Sequence, residues 1–139
     1  MNRKYIKYIF IVLLLFISVS TVGFVNYKYT KKVPITKFFE NDANKITEIQ
    51  ITNGNTGNVE IITDKNQIEK LSQFLSTIKL QKNSKESSGW LYALEFYSND
   101  TKLIEIVDMG SRYSINGEKY TVISSNNTSL NEIIDEMLY

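Results

Sequence analysis

The chain has 139 residues, with sixteen Lys and Arg, fifteen Asp and Glu, and neither cysteine nor histidine. The lack of cysteine excludes disulfides, Cys-ligated zinc and lipid attachment through an N-terminal cysteine. The lack of histidine removes the commonest general base and the commonest imidazole metal ligand. The composition therefore predicts a protein without metal or cofactor, and it favours a protein that is not an enzyme.

Charge is distributed unevenly along the chain. Residues 1–37 carry seven basic groups and no acidic one, whereas the remainder carries nine basic and fifteen acidic groups, a net charge of −6. An acidic body has no basic stripe with which to neutralise phosphates. Nucleic acid is therefore not expected as a partner.

A hydrophobic segment follows the basic residues 1–8. Residues 9–25, "IFIVLLLFISVSTVGFV", contain no charge, and lysines follow them. As a helix, residues 9–26 would rise about 27 Å, close to the ~30 Å thickness of a bilayer's hydrocarbon core. The segment predicts a transmembrane anchor over residues 9–26 that contacts the lipid bilayer, with a cleaved signal peptide as the alternative.

The charges that flank this segment give only a weak signal for its orientation. Three basic residues precede it and three follow it (Lys28, Lys31 and Lys32), so the positive-inside count is nearly tied. The N-terminus also carries the α-amino charge and resembles the basic start of a signal peptide. Both features favour placing it on the cytoplasmic side of the membrane. The sequence thus predicts a single-pass protein of the cell membrane, in which a polar stalk, residues 27–45, leads to an extracytoplasmic domain, residues 46–139.

Hydrophobic periodicity predicts the first elements of that domain. Residues 46–53 and 58–64 alternate with period two and flank the turn residues "GNTG", which indicates two antiparallel strands in a hairpin. Asp64 and Gln67 have the spacing of a capping box, and an apolar stripe follows, so a helix of about thirteen residues is expected there. The polar residues 80–89 are predicted to form a loop, with a short strand at its start as an option.

The second half of the domain is predicted to be a meander and a closing helix. Residues 89–123 read as about four strands, and Asn116-Gly117 is the strongest hairpin signal in the chain. Ser129 and Glu132 form a second capping box before another apolar stripe. The predicted fold is α+β: an N-terminal transmembrane helix, then a small, mostly antiparallel sheet of six or seven strands packed with two helices.

Several phrases of the domain carry a family resemblance. They are "TNGNTGNVEIITD", "IEKLSQFLSTIKL", "GWLYALEFYSND", "KLIEIVDMG" and "YSINGEKYTV". Over roughly residues 46–122 the chain resembles the small Gram-positive cell-envelope domains called YhfM-like. The resemblance implies an extracytoplasmic, membrane-tethered or lipid-anchored domain of unassigned function. Because the lipid-bearing cysteine is missing, only the helical anchor would remain for this chain.

Aromatic residues supply the best candidate binding site. The chain has no glycine-rich phosphate loop, GxSxG elbow or metal-ligand spacing. Tyrosine and tryptophan combine a large apolar area with a hydrogen-bonding tip, which suits them to interfaces and to stacking on sugars. We predict binding through Trp90, Tyr97, Tyr113 and Tyr120, with core packing as the alternative role and a protein, peptide or wall polymer as the partner.

Two glutamates offer the main alternative. Glu95 and Glu105 fall on neighbouring predicted strands, and two close carboxyl groups are what glycosidic bond cleavage needs. Pairing with Lys102 or Lys119 on a solvated face accounts for them as well. The sequence favours a membrane-tethered, non-catalytic binding module of the cell envelope. The alternatives are a carboxylate-dependent envelope hydrolase and a structural or immunity-type protein that acts through its transmembrane helix.

Overall fold

The structure is a computed structural model. It describes residues 8, 11–17, 27, 30–39, 43–83, 89–123 and 128–138. The chain divides into two compact units, Met1–Lys31 and Lys32–Tyr139. In the first unit, residues 11–17 are helical and their side chains are exposed.

The N-terminal transmembrane helix of the predicted fold is corrected by the structure. No helix in the described part of the chain is long and apolar enough to cross a membrane. Of the predicted span, residues 9–26, the structure describes residues 11–17, and the others lie outside the described residues.

In the described ranges, the second unit is built on one antiparallel sheet of eight strands, in the spatial order β1-β4-β8-β7-β6-β5-β2-β3. The strands are β1 (Lys32–Pro34), β2 (Glu48–Asn53), β3 (Val59–Ile62), β4 (Lys79–Lys82), β5 (Tyr92–Ser98), β6 (Thr101–Asp108), β7 (Arg112–Ile115) and β8 (Glu118–Val122). The helices are α1 (Lys65–Ser76) and α2 (Leu130–Leu138), with 3-10 helices at Ile35–Phe39 and Ala43–Lys45.

The prediction of six or seven strands is wrong, because the sheet has eight. The additional strand is β1, which lies in the segment predicted to be a stalk. Three residues that include Pro34 are too few for a period-two pattern to be recognised. Ile35 and Phe39 follow directly and are buried, so this part of the chain belongs to the folded unit.

Local capping fixes where both helices begin. The Asp64 carboxylate accepts a hydrogen bond from the Gln67 N–H at 2.9 Å, which satisfies a donor that the first helical turn leaves unpaired. The Gln67 side chain donates to the Met137 carbonyl at 3.2 Å and so ties α1 to the end of α2. At α2, the Ser129 N–H donates to the Glu132 carboxylate at 2.8 Å. Each helix start therefore shows one of the two hydrogen bonds of the predicted capping box: the N-cap bond at α1 and the reach-back bond at α2.

The core lies on one face of the sheet, called the core face. Its residues are register partners across neighbouring strands, as in Ile51, Leu94 and Ile106. Side chains from both α-helices and from Ile35 and Phe39 complete the same cluster. The opposite face, called the open face, carries the alternate residues of these strands and holds no fully buried large apolar side chain among the described residues.

Candidate functional site

Four large apolar side chains are exposed in the described part of the second unit, and they form the apolar corner. They are Val59 (53 % exposed), Ile61 (59 %), Trp90 (40 %) and Leu91 (37 %). Val59 and Ile61 belong to β3, whereas Trp90 and Leu91 immediately precede β5. Exposed apolar patches commonly mark interaction sites.

Gly54 brings these two pairs to the same end of the sheet. It lies in the turn between β2 and β3, and its N–H donates to the Leu91 carbonyl at 2.7 Å. A Cβ at this position would overlap the Trp90 carbonyl oxygen and lie 2.8 Å from the ring carbon Cε3. Glycine is needed here because the two backbones approach so closely. The turn thus supports the Trp90 ring directly.

A polar group occupies the open face farther along β5 and β6, and we call it the carboxylate cluster: Glu95, Tyr97, Lys102 and Glu105. Glu95 lies opposite Glu105 in the register, so the two neighbouring strands bring these carboxylates to the same face. The Lys102 ammonium donates to the Glu95 carboxylate and, at 3.0 Å, to Glu105. The Tyr97 hydroxyl donates to the other Glu95 oxygen at 2.6 Å.

These contacts set the electrostatics of the carboxylate cluster. Hydrogen bonds from Lys102 and then Tyr97 hold the pKa of Glu95 below its ordinary value. The same carboxylate raises the pKa of Tyr97 and of Lys102. A general acid must keep its proton at the working pH, so Glu95 is poorly suited to that role in glycosidic cleavage. The geometry favours an ion-pair network on a solvated face.

Two of the predicted binding residues lie on the core face. Tyr113 and Tyr120 are register partners and are 2 % and 5 % exposed. The Tyr120 ring meets the Phe38 ring edge-on at 5.2 Å between centroids, and its hydroxyl donates to Glu118 at 2.7 Å. Burial raises the pKa of both phenols. Their rings contribute to the core in this structure.

The other two predicted binding residues, Trp90 and Tyr97, lie at opposite ends of β5. Trp90 precedes the strand, and Tyr97 is its next-to-last residue. Seven extended residues span about 23 Å, so one ligand ring cannot stack on both side chains. The structure therefore brings Tyr113 next to Tyr120 but separates that pair from Trp90 and from Tyr97. Binding through these four residues stays a prediction.

A buried carboxylate that sequence reasoning missed lies beside the apolar corner. Asp108 is 1 % exposed on the core face, between its register partners Tyr92 and Tyr113. Its Oδ1 accepts the Gly110 N–H at 2.7 Å, and its backbone carbonyl accepts the Leu91 N–H at 2.7 Å. Burial raises its pKa to about 6. An aspartate at a strand end resembles a turn residue in sequence, so nothing there signalled burial.

Residues that the structure describes in the second unit also line two surface depressions. One, of about 570 Å³, lies along α1 and includes Ile46 and Ile68 among its walls. The other, of about 270 Å³, lies on the open face beside the carboxylate cluster. It is lined by Thr47, Glu48, Gln50, Tyr97, Asn99 and Asp100. No group of three carboxylates within the described ranges is arranged to hold a metal ion.

Sequence reasoning also missed Val59 and Ile61 as surface residues. Their alternation predicted a strand correctly, but it did not show that these two side chains would lie on the open face of an edge strand. The strand order, with β3 at the edge, is a tertiary property.

Comparison with known proteins adds no relative. No family model matches the chain, and no curated protein or solved structure matches it significantly. The resemblance to the YhfM-like domains therefore stays a prediction.

Proposed function

We propose that the second unit is a non-catalytic binding module that engages a partner protein or peptide at the apolar corner. The exposure of Val59, Ile61, Trp90 and Leu91 at one end of the sheet carries this proposal. Burying a single side chain of this size is worth roughly 1.5–3 kcal/mol. Tryptophan is also among the residues that most often dominate binding energy at interfaces.

The chemistry of the corner favours a polypeptide over a wall polymer. Sugar recognition relies on aromatic faces on which rings stack. In the apolar corner Trp90 is the single aromatic residue, and its three companions are aliphatic. Aliphatic side chains pack well against those of another protein, which supports a protein or peptide partner.

We place this module at the outer side of a cell membrane. The uncharged residues 9–25 and the basic residues that flank them support that location. Protease added to intact cells should degrade the second unit if it is extracytoplasmic. Digestion only after lysis would place it inside the cell and contradict the location without affecting the binding proposal.

Site-specific photo-crosslinking in living cells tests the binding proposal. A photoreactive residue at Leu91 should give a discrete adduct with a partner, and one at Gln73, exposed on α1, should not. Trp90→Ala should abolish the Leu91 adduct, whereas Ser76→Ala on α1 should leave it intact. The same adducts from both positions, or none from Leu91, would contradict the proposal.

A further inference from the structure

The two edges of the sheet differ in how well they are protected. In the described part of the chain, β1 forms one edge and β3 the other. An edge strand exposes unpaired backbone groups, and proteins block such edges with short strands, lysine, proline or bulges. β1 has only three residues and contains Lys32 and Pro34. β3 contains Val59, Glu60, Ile61 and Ile62, with neither lysine nor proline.

The hairpin geometry shows which groups of β3 are free to pair. The Asn53 N–H donates to the Asn58 carbonyl at 2.9 Å and closes the hairpin. Antiparallel ladders alternate between bonded and non-bonded pairs, and in this register Glu60 lies opposite Ile51 and Ile61 lies opposite Gln50. The backbone groups of Glu60 thus bond to β2. Those of Val59 and Ile61 point away from β2, towards the outer edge.

The exposed side chains of β3 belong to the same surface. Val59 and Ile61 project on the open face, where they form half of the apolar corner. Glu60 projects on the opposite side and is exposed, and its side chain forms no hydrogen bond or ion pair with any residue that the structure describes. An added strand would thus meet two aliphatic side chains on one face and one carboxylate on the other.

We propose that β3 binds an extended, basic segment of a partner protein, which adds to the sheet as a ninth strand. The proposal rests on the binding function assigned to the apolar corner and names the mode and the chemistry of that binding. Backbone hydrogen bonds of Val59 and Ile61 provide the pairing, and alternate side chains provide specificity. The complementary sequence is apolar–basic–apolar, with the Lys or Arg opposite Glu60. The net charge of −6 from residue 38 onward favours the same partner.

A second copy of this chain fits the edge less well. In the antiparallel register that pairs Val59 with Ile61 of the second copy, Glu60 lies opposite Glu60 of that copy. Like charges directly opposite one another destabilise a strand pair. Two acidic domains also repel each other at low ionic strength.

Two capped peptides of about eight residues test this edge. One has the core Val-Lys-Ile and the other Val-Glu-Ile, the latter copying residues 59–61. The Lys peptide should bind at least about tenfold more tightly at low salt, and the difference should shrink as salt screens the charges. The fluorescence of Trp90, the single tryptophan, gives the binding curve. Hydrogen exchange gives the site, because pairing should protect the Val59 and Ile61 amides.

Two variants distinguish pairing at this edge from binding elsewhere on the domain. Ile61→Pro removes an outward N–H while leaving the hydrogen bonds to β2 intact. The affinity of the domain for the Lys peptide should therefore fall by about tenfold or more. Glu60→Lys keeps every backbone group and should reverse the preference of the domain to the Glu peptide. If Ile61→Pro fails to fold, the Glu60→Lys reversal still decides the inference.

Each outcome bears on the inference. Protected Val59 and Ile61 amides with a charge-reversed preference support strand addition. Peptide binding that protects neither amide overturns it, as does equal binding of both peptides or no binding up to about 1 mM. None of these failures removes the partner adduct at Leu91, on which the proposed function depends.

Discussion

The two faces of β5 and β6 are built from adjacent residues of the same strands but differ in kind. The core face is uniformly apolar except at Asp108, and Leu94, Phe96, Ile104 and Ile106 are each no more than 1 % exposed. The open face mixes Ala93 and Val107 with the charged Glu95, Lys102 and Glu105. A sheet face that must exclude water tolerates little besides hydrocarbon. A solvated face can accept both kinds of residue, which leaves it free to carry recognition.

A pair of neighbouring residues tests this contrast with the largest expected effect. Ile106→Ala should lower the free energy of unfolding by about 2–5 kcal/mol, because the side chain is fully buried and leaves a cavity. Val107→Ala, on the open face, should cost less than about 1 kcal/mol. Urea denaturation of both variants measures the difference. Equal losses would show that the open face is packed as tightly as the core face.

Asp108 is the exception on the core face and makes stability depend on pH. Burial raises its pKa from 3.8 to about 6, so between these values the folded state binds more protons than the unfolded state. The free energy of unfolding should therefore fall by about 1–3 kcal/mol as pH rises from 4 to above 6.

Asp108→Asn should abolish this loss, because the variant carries no charge there. The lowered pKa of Glu95 makes the free energy of unfolding change with pH in the opposite direction, and it does so equally in both proteins. This contribution cancels when the free energies of unfolding of the two proteins are subtracted at each pH. Asp100→Asn, at an exposed position, serves as the control. An unchanged pH profile in Asp108→Asn would mean that the carboxylate is hydrated.

Gly54→Ala tests how the apolar corner is supported. The added methyl group would collide with the Trp90 backbone and ring, so the variant should lose about 1–2 kcal/mol of stability. Displacement of Trp90 should also shift its fluorescence in the folded state. Asn55→Ala in the same turn should leave the emission spectrum unchanged. Unaltered Trp90 emission in Gly54→Ala would contradict the close approach.

Lys102→Met tests the charged part of the open face and should have the smallest effect. It leaves Glu95 opposite Glu105 without a cation, which should cost less than about 1 kcal/mol and depend on salt. The pKa of Glu95, followed by NMR, should rise because its main hydrogen-bond donor is lost. Lys65→Met, which breaks an exposed pair on α1, is the control and should not move that pKa.

Features that depend on neighbours in sequence were predictable. The caps at Asp64 and Ser129 and the Asn116-Gly117 turn, with positive φ at both residues, all follow from local hydrogen bonds or backbone sterics. The sequence placed Glu95 and Glu105 on neighbouring strands whose faces could meet. Their direct pairing, however, depends on the register shift next to Phe96 and Tyr97, because the register of the turn alone would set Glu95 opposite Ile104.

Features that depend on distant parts of the chain were not predictable. A register shift between β5 and β6 next to Phe96 and Tyr97 interrupts the alternation of the two strands, and the nearby Leu103 is partly buried against the core. Nothing local showed that Tyr113 and Tyr120 would be core residues and Trp90 a surface residue. Aromatic side chains suit either environment, so their number alone predicted no site.

The sequence by itself determined the antiparallel strands from residue 46 onward apart from β4, the two α-helices and the acidic character of the second unit. Only the tertiary structure decided that β1 joins one edge, that β3 forms the other and that Val59, Ile61, Trp90 and Leu91 stay exposed. The reason is physical. Caps, turns and periodicity act within a few residues, whereas the strand order, and with it the unpaired edge, is set by the packing of the whole sheet against its helices.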